Sequence, residues 1–130
     1  MTTEYINPDT AMKSAGFSHA IKKKGTPVYI AGELALDIDG KLVGEGDIRA
    51  QMAQVYKNLE AVVEAAGGTK EDIVRITTYT TDLEYRDTIM EMRREFFSAG
   101  KMPTSTFLVV AGLARPEFLV EMDAVAIIDD

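Results

Sequence analysis

The sequence contains no cysteine and no tryptophan, and its one histidine is His19. Without cysteine, the chain can form no disulfide, no thiolate nucleophile and no thiolate metal site. A single histidine also excludes a site in which one chain holds a metal ion with several imidazole ligands. The sequence therefore predicts no metal centre within one chain.

Long apolar runs and extended basic patches are also lacking. The longest apolar runs are too short to span a bilayer, and the N-terminus lacks the charged start and apolar core of a signal peptide. We therefore expect a cytoplasmic protein with no membrane partner. The formal net charge of −7 and the pI of about 4.7 disfavour binding to a phosphate backbone. The lysines at 22–24 are interpreted as a solvated strand end, so no nucleic-acid partner is expected.

The residues that are present are typical of one soluble globular domain, assigned to residues 1–130. Hydrophobic residues make up 46% of the chain and charged residues 27%. Apolar residues that recur every three or four positions predict two helices. The first helix begins after the N-cap Asp47 and ends at Gly67, and the second begins after Asp82 and ends at Gly100.

Segments rich in β-branched and aromatic residues predict five strands around these helices. The element order β-β-α-β-α-β-β predicts the α+β class, with one mixed sheet and two helices packed on one face. The first two strands are interpreted as a hairpin that turns at 24–26. The predicted strands are 18–23, 27–31, 73–81, 107–110 and 118–120.

The other face of such a sheet has no helix of its own to cover it. The last strands are apolar at both parities, as in the run 107–110. Continuous apolar strands need cover on both faces. We therefore favour oligomerisation, with a cleft formed between subunits, over a sheet that curls around its own core.

Hydroxyl groups and one carboxylate mark the two final strands. Pro103 and Thr104 open the first of them, followed by Ser105 and Thr106, and Glu121 closes the second. If these strands are neighbours, the hydroxyls and the carboxylate lie close together. A carboxylate is costly to bury unless another group pairs with it or a reaction uses it, so Glu121 is the first candidate for chemistry.

Eight short segments, in order along nearly the whole chain, carry a family pattern: 16–21, 27–37, 46–51, 58–62, 64–67, 72–83, 103–106 and 120–126. Together they resemble the Rid family, the reactive intermediate deaminases, also called YjgF-type or L-PSP proteins. The resemblance implies a chorismate-mutase-like fold and a homotrimer whose ligand clefts lie between subunits. It also implies hydrolysis of enamines and imines to a keto acid and ammonia, without a metal or cofactor.

In that family an arginine binds the substrate carboxylate, a backbone N–H after a strand helps to hold it, and a glutamate positions the attacking water. The resemblance assigns the last two roles here to Gly32 and Glu121, and Ser18 also matches the pattern. Four substrate-binding positions carry other residues. The tyrosine is replaced by Phe17, the serine or threonine before the glycine by Ala31, an asparagine by Met90, and the arginine by Ser105.

Several of these side chains have a second interpretation. His19 has either a packing and hydrogen-bonding role or a catalytic one. Ser105 and Thr106 either bind a ligand or cap their strand, and Glu121 either positions water or makes a buried structural hydrogen bond. Arg115 is interpreted as solvated surface rather than part of the cleft. Polar helix faces are expected to hold the arginines at 49, 86, 93 and 94.

Three functions remain open from the sequence. The first is a Rid-type hydrolase that acts on a C–N bond of a small molecule without the usual carboxylate. The second is a non-catalytic protein that binds a metabolite or regulates a partner. The third is RNA cleavage, which the net charge of −7 and the single histidine disfavour.

Overall fold

The computed structural model describes residues 3–130 and has the α+β class expected from the sequence. Two α-helices pack on a mixed β-sheet, and two short 3₁₀ turns, Lys70–Asp72 and Leu83–Tyr85, precede β4 and α2. The elements are β1 (Glu4–Ile6), β2 (Ala20–Lys22), β3 (Thr26–Glu33), α1 (Ile48–Ala65), β4 (Ile73–Thr80), α2 (Arg86–Phe96), β5 (Thr104–Val109) and β6 (Val120–Ile128).

The main sheet has four strands in the order β3-β6-β4-β5, in which β4 and β5 are parallel and the other pairs are antiparallel. The predicted hairpin of the first two strands is wrong, because β2 pairs with β1 in a separate two-stranded sheet. Between β2 and β3 the chain passes Gly25, where φ is +150° and any Cβ would collide with the carbonyl oxygen of Ile128. At this close approach the chain enters β3 beside β6, so β3 pairs with β6 and not with β2.

The prediction that the last two strands are neighbours is also wrong. The chain crosses from β4 through α2 to β5, as a parallel pair requires, and β6 then pairs with the other side of β4. The last strand is also longer than 118–120 predicted, since it runs from Val120 to Ile128. Glu121 is therefore the second residue of β6 rather than the residue that follows a strand.

Helix α1 matches its prediction closely. Asp47 caps it by accepting a hydrogen bond from the N–H of Ala50 over 3.1 Å, and the chain leaves it through Gly67 at φ +95°. Its buried stripe packs against alternate residues of β6, which places the core between this helix and the sheet. That core includes Met52, Val55, Leu59 and Val63 from α1, and Val120, Met122, Ala124 and Ala126 from β6.

Helix α2 differs from its prediction in two ways. Asp82 caps the 3₁₀ turn Leu83–Tyr85, so the α-helix itself begins at Arg86 and ends at Phe96. Arg93 does not lie on a polar face, because its exposed fraction is only 5%. It falls one turn after the buried Ile89, in the stripe that faces the sheet.

The sheet face opposite the helices has no covering element from residues 3–130. Along β6, the residues that alternate with the buried core positions, such as Glu121 and Asp123, are only partly buried. Tyr29 in β3 is 79% exposed. We call this surface the open face.

None of the helices between residues 3 and 130 is long and apolar enough to cross a membrane.

The lysine cluster at 22–24 is not wholly solvated. The side chain of Lys23 is 6% exposed, and its Nζ lies 2.7 Å from Oδ1 of Asp72. Asp72 also accepts a hydrogen bond from the N–H of Thr69, in the capping box that opens the turn before β4. The cluster thus anchors β2 to the start of β4 rather than forming a free basic patch.

Candidate functional site

Three of the predicted binding residues, Phe17, Met90 and Ser105, line one cavity of about 420 Å³. It lies between helix α2, strand β5 and the loop before β2. Guanidinium groups dominate its polar wall, so we call it the arginine cavity. Its lining consists of Ala15, Phe17, Arg86, Asp87, Met90, Arg93, Arg94, Ser105 and Phe107.

Ser105 faces the helices rather than the open face. It is in register with Ile76, a fully buried residue of β4. Its Oγ accepts a hydrogen bond from Nη1 of Arg93 over 2.8 Å. Thr106, the next residue along the strand, is in register with Thr77 and points to the opposite face. The hydroxyl of Ser105 therefore lies on the helix side of the sheet, and the hydroxyl of Thr106 lies on the open face.

Arg93 is the site residue that sequence reasoning missed. Burial lowers the pKa of its guanidinium, Tyr56 opposes that shift, and Arg94 and Arg86 reinforce it. Its Nε is fully buried without a hydrogen-bond partner, and none of the ion pairs within residues 3–130 includes it. The available signal was the spacing of Ile89, Arg93 and Phe97, which puts this arginine in the apolar stripe of α2.

Glu121 lies on the open face, beside Gly32. A Cβ at Gly32 would collide with Oε2 of Glu121, so only glycine allows this approach. The register of β3 on β6 shifts between Ile30 and Glu33, so Ala31 and Gly32 form a bulge next to the carboxylate. We call Ala31, Gly32 and Glu121 the carboxylate edge.

The electrostatics of the carboxylate edge favour a protonatable carboxyl group. Partial burial raises the pKa of Glu121, and the negative charge of Asp123 two residues away raises it further. Asp123 is itself held in place, because its Oδ2 accepts a hydrogen bond from Oη of Tyr79 over 3.0 Å. Glu121 can therefore bind and release a proton at a pH above the usual range for a carboxyl group.

Ser105 and Glu121 do not meet within one chain, contrary to the prediction that they lie close together. Strand β4 separates their strands, and the two side chains point to opposite faces of the sheet. The predicted site residues therefore fall into two groups. Phe17, Met90 and Ser105 belong to the arginine cavity, whereas the glutamate belongs to the carboxylate edge.

Ser18 and His19 lie outside the lining of the cavity and connect the loop that carries Phe17 to its surroundings. Oγ of Ser18 donates to the carbonyl oxygen of Met102 over 2.6 Å. Nε2 of His19 lies 2.6 Å from the carbonyl oxygen of Met12, and the imidazole meets the ring of Phe17 edge to face at 5.2 Å. These contacts position the aromatic wall of the cavity.

Arg115 does not line the arginine cavity. Its Nε lies 3.6 Å from Oε1 of Glu117, and its guanidinium lies over the ring of Phe118 at 4.4 Å. The side chain is 47% exposed. This arrangement agrees with the surface role that the sequence favours.

The chain is similar over nearly its whole length to proteins of one family. The model of the Endoribonuclease L-PSP family matches residues 9–128. A RutC family protein of Pyrococcus abyssi is 33% identical over 127 residues, which cover 97% of this chain and 98% of that protein. The chain belongs to the Rid family, also called the YjgF family.

Solved structures of Rid proteins have the same fold. A Rid family protein of unknown function from Yersinia pestis is 36% identical, with a TM-score of 0.92 over 98% of this chain and all of that one. RidA from an Antarctic Psychrobacter is 31% identical, with a TM-score of 0.74 over 96% of this chain and 99% of that one. The resemblance seen in the short sequence segments is therefore confirmed.

The resemblance to the Rid family implies an arginine at position 105. Ser105 stands there, and the guanidinium that contacts its hydroxyl comes from Arg93 on α2. The charge is thus supplied by a helix instead of a strand. The polar wall of the cavity therefore includes a guanidinium beside Ser105, although Ser105 itself carries no charge.

Proposed function

We propose that this Rid protein is a small-molecule hydrolase that cleaves the C–N bond of an imine or enamine. The observation that carries the proposal is the partly buried carboxylate of Glu121, held against the backbone of Gly32 on the open face. A carboxylate with a raised pKa suits general acid–base work near neutral pH. The reaction needs no cofactor, because an imine carbon is already electrophilic.

The proposed reaction adds water across the C=N bond. Glu121 positions the water and accepts one of its protons while the oxygen bonds to the imine carbon. That proton passes to the nitrogen to give a carbinolamine. The hydroxyl proton of the carbinolamine then moves to the nitrogen as well, and the C–N bond breaks to leave ammonia and a carbonyl product. Each atom of the imine and the water is accounted for in these two products.

We further propose a homotrimer in which the carboxylate edge of one subunit faces the arginine cavity of its neighbour. Two observations support this arrangement. The two groups of site residues lie on opposite faces of one sheet, so a single chain does not bring them together. The open face also exposes large side chains, Tyr29 at 79% and Leu108 at 44%. A neighbouring subunit would cover them.

The test of hydrolysis is ammonia release from imines generated in the assay, both carboxylate-bearing and neutral. Glu121→Gln keeps the shape of the side chain but removes its basic oxygen, and we expect a rate at least about 100-fold lower. Glu45→Gln is the matched control, because Glu45 is exposed and belongs neither to the lining of the arginine cavity nor to the carboxylate edge. Full activity in Glu121→Gln would remove this residue from the mechanism.

A non-catalytic binding protein is the second candidate. It is favoured by one observation, namely that the arginine cavity is complete within one chain without Glu121. In that case small anions would bind, no imine would release ammonia faster than in buffer, and Glu121→Gln would leave binding unchanged. Calorimetry and the ammonia assay on the same preparation distinguish the two candidates.

A further inference from the structure

The arginine cavity contains a buried positive charge that nothing in residues 3–130 neutralises. Arg93 is 5% exposed and makes a single hydrogen bond, to the uncharged hydroxyl of Ser105. A buried guanidinium without a counter-ion is strongly unfavourable, because desolvation is not offset by an opposite charge. Such a charge is stabilised when a ligand supplies the missing anion.

The surroundings add positive charge instead of removing it. Arg86 and Arg94 line the same cavity, and Asp87 is the one carboxylate among the lining residues. Nη1 of Arg86 lies 3.6 Å from Oδ1 of Asp87, so these two exposed groups balance each other. Arg93 and Arg94 remain, with two positive charges and no carboxylate. This local excess of positive charge contrasts with the chain's net charge of −7.

The backbone of Gly16 lies against the guanidinium of Arg93 and the side chain of Arg94. Gly16 has φ +79° and no side chain, and a Cβ there would lie 3.3 Å from Nη2 of Arg93 and 3.4 Å from Cγ of Arg94. Nη2 makes no hydrogen bond to any described residue, whereas Nη1 holds Ser105. The two adjacent arginines thus converge on one backbone position, where Arg93 is buried and Arg94 is exposed.

Apolar side chains form the rest of the wall. Phe17, Met90 and Phe107 line the cavity together with the arginines. Phe17 is held by its edge-to-face contact with His19. A ligand that fits must therefore combine a compact negative end with an apolar or aromatic part.

We propose that Arg93 and Arg94 bind a dianionic group, a phosphate monoester or a dicarboxylate, joined to an apolar moiety that packs on Phe17 and Met90. The guanidinium of Arg93 binds two oxygens of the group, and Arg94 neutralises its second charge. This inference deepens the proposed function by naming the substrate class, and it rests on that function only in taking the ligand to be the substrate.

Calorimetry with four aromatic probes at pH 8 tests the charge requirement. The probes are phenyl phosphate and phthalate as dianions, benzoate as a monoanion and benzamide as a neutral analogue. We expect at least one dianion to bind about tenfold or more tightly than benzoate, and benzamide not to bind. Phenyl phosphate and phthalate distinguish the two sources of the dianion. Equal affinity for all three anions, or tighter binding of benzoate, would overturn the proposal.

Variants test the two arginines separately. Arg94→Gln changes an exposed residue, so it preserves the fold, and it should reduce dianion affinity to that of benzoate while benzoate binding is retained. Arg93→Gln should abolish binding of every anion, and Arg93→Lys should restore only part of it. Arg49→Gln, which removes an exposed arginine outside the cavity, is the charge-matched control. Unchanged dianion affinity in Arg94→Gln would contradict the proposal even if Arg93→Gln failed to fold.

Binding and hydrolysis fail independently in these experiments. If Glu121→Gln and the unmodified protein both bind the dianion but neither releases ammonia, the anion site stands and the hydrolase proposal falls. If ammonia is released equally fast from neutral and dianionic imines and Arg94→Gln has no effect, the hydrolase stands and the anion site falls.

Discussion

Nη1 of Arg93 donates a hydrogen bond to Oγ of Ser105 over 2.8 Å, and this contact joins the buried stripe of α2 to β5. The resemblance to the family implies an arginine at the position of Ser105, and in this chain the guanidinium of Arg93 reaches that position from α2. The serine accepts one N–H of a guanidinium that has few other partners. Substitutions on either side of this contact should therefore affect stability as well as binding.

Ser105→Arg should destabilise the protein. The new guanidinium would face the buried Arg93, remove its hydrogen bond and bring two like charges together, at a cost of about 3 kcal/mol. Ser105→Ala removes only the hydroxyl and should cost about 1 kcal/mol. Urea unfolding of both variants measures the difference. If Ser105→Arg matched the unmodified protein and bound benzoate more tightly, Arg93 would not occupy the space beside residue 105.

Gly32→Ala should reduce imine hydrolysis with little effect on anion binding. A methyl group at this position would collide with Oε2 of Glu121 and turn its carboxylate away from the open face. We expect a fall in kcat of about tenfold or more, as is usual when a catalytic group is displaced by an ångström. Gly112→Ala is the matched control, because Gly112, like Gly32, has no positive φ and a Cβ there meets no atom within 4 Å. Equal activity in Gly32→Ala and the unmodified protein would contradict the close approach.

The activity should depend on the ionisation of Glu121. Because burial and Asp123 raise its pKa above the ordinary 4.5, kcat/KM should rise with pH and level off only above the usual carboxyl range. Asp123→Asn removes the second cause and should shift the acid limb to lower pH. A limb that does not move in Asp123→Asn would exclude this electrostatic coupling.

The same group should also affect stability, with a definite sign. A carboxyl group whose pKa is raised on folding binds more protons in the native state than in the unfolded state between the two pKa values. The contribution of this group to the free energy of unfolding therefore falls as pH rises from 4.5 through the raised pKa. At higher pH it stays constant. Glu33, whose pKa burial also raises, contributes in the same direction. Glu121→Gln should flatten this slope in part, and an unchanged slope would contradict the assignment to Glu121.

Light scattering should give a mass three times the 14.3 kDa of one chain at micromolar concentration. Covering the exposed Tyr29 and Leu108 is the physical reason for association. Tyr29→Glu would place an unpaired charge in such an interface and should shift the protein towards monomer. A monomeric unmodified protein at this concentration would contradict the shared cleft.

Much of the fold was predictable because local chemistry determines it. Asp47 caps α1 as expected, and the apolar spacing along that helix identified its buried face. Strand pairing was not predictable in the same way. Whether β2 pairs with β3, or β5 with β6, depends on crossovers and on the close approach at Gly25, which no short segment encodes.

The residues of the candidate site were also only partly predictable from the sequence. The family pattern identified Glu121, Gly32, Phe17, Met90 and Ser105 as site residues, but it did not divide them between the carboxylate edge and the arginine cavity. Arg93 was not identified, since a long charged side chain on a helix is ordinarily solvated and its burial is decided by what packs above it. Neither strand order nor side-chain spacing placed it beside Ser105.

The sequence by itself determined the class of the fold, the N-cap of α1, the family and the identity of the candidate carboxylate, because these follow from local spacing and short motifs. Only the tertiary structure decided which strands are neighbours, that Ser105 and Glu121 point to opposite faces, and that a helical guanidinium occupies the cavity. The physical reason is that burial and electrostatic environment arise from contacts between segments far apart in the chain. The sequence specifies the charge of a residue, but the packing of the whole domain determines which groups surround it.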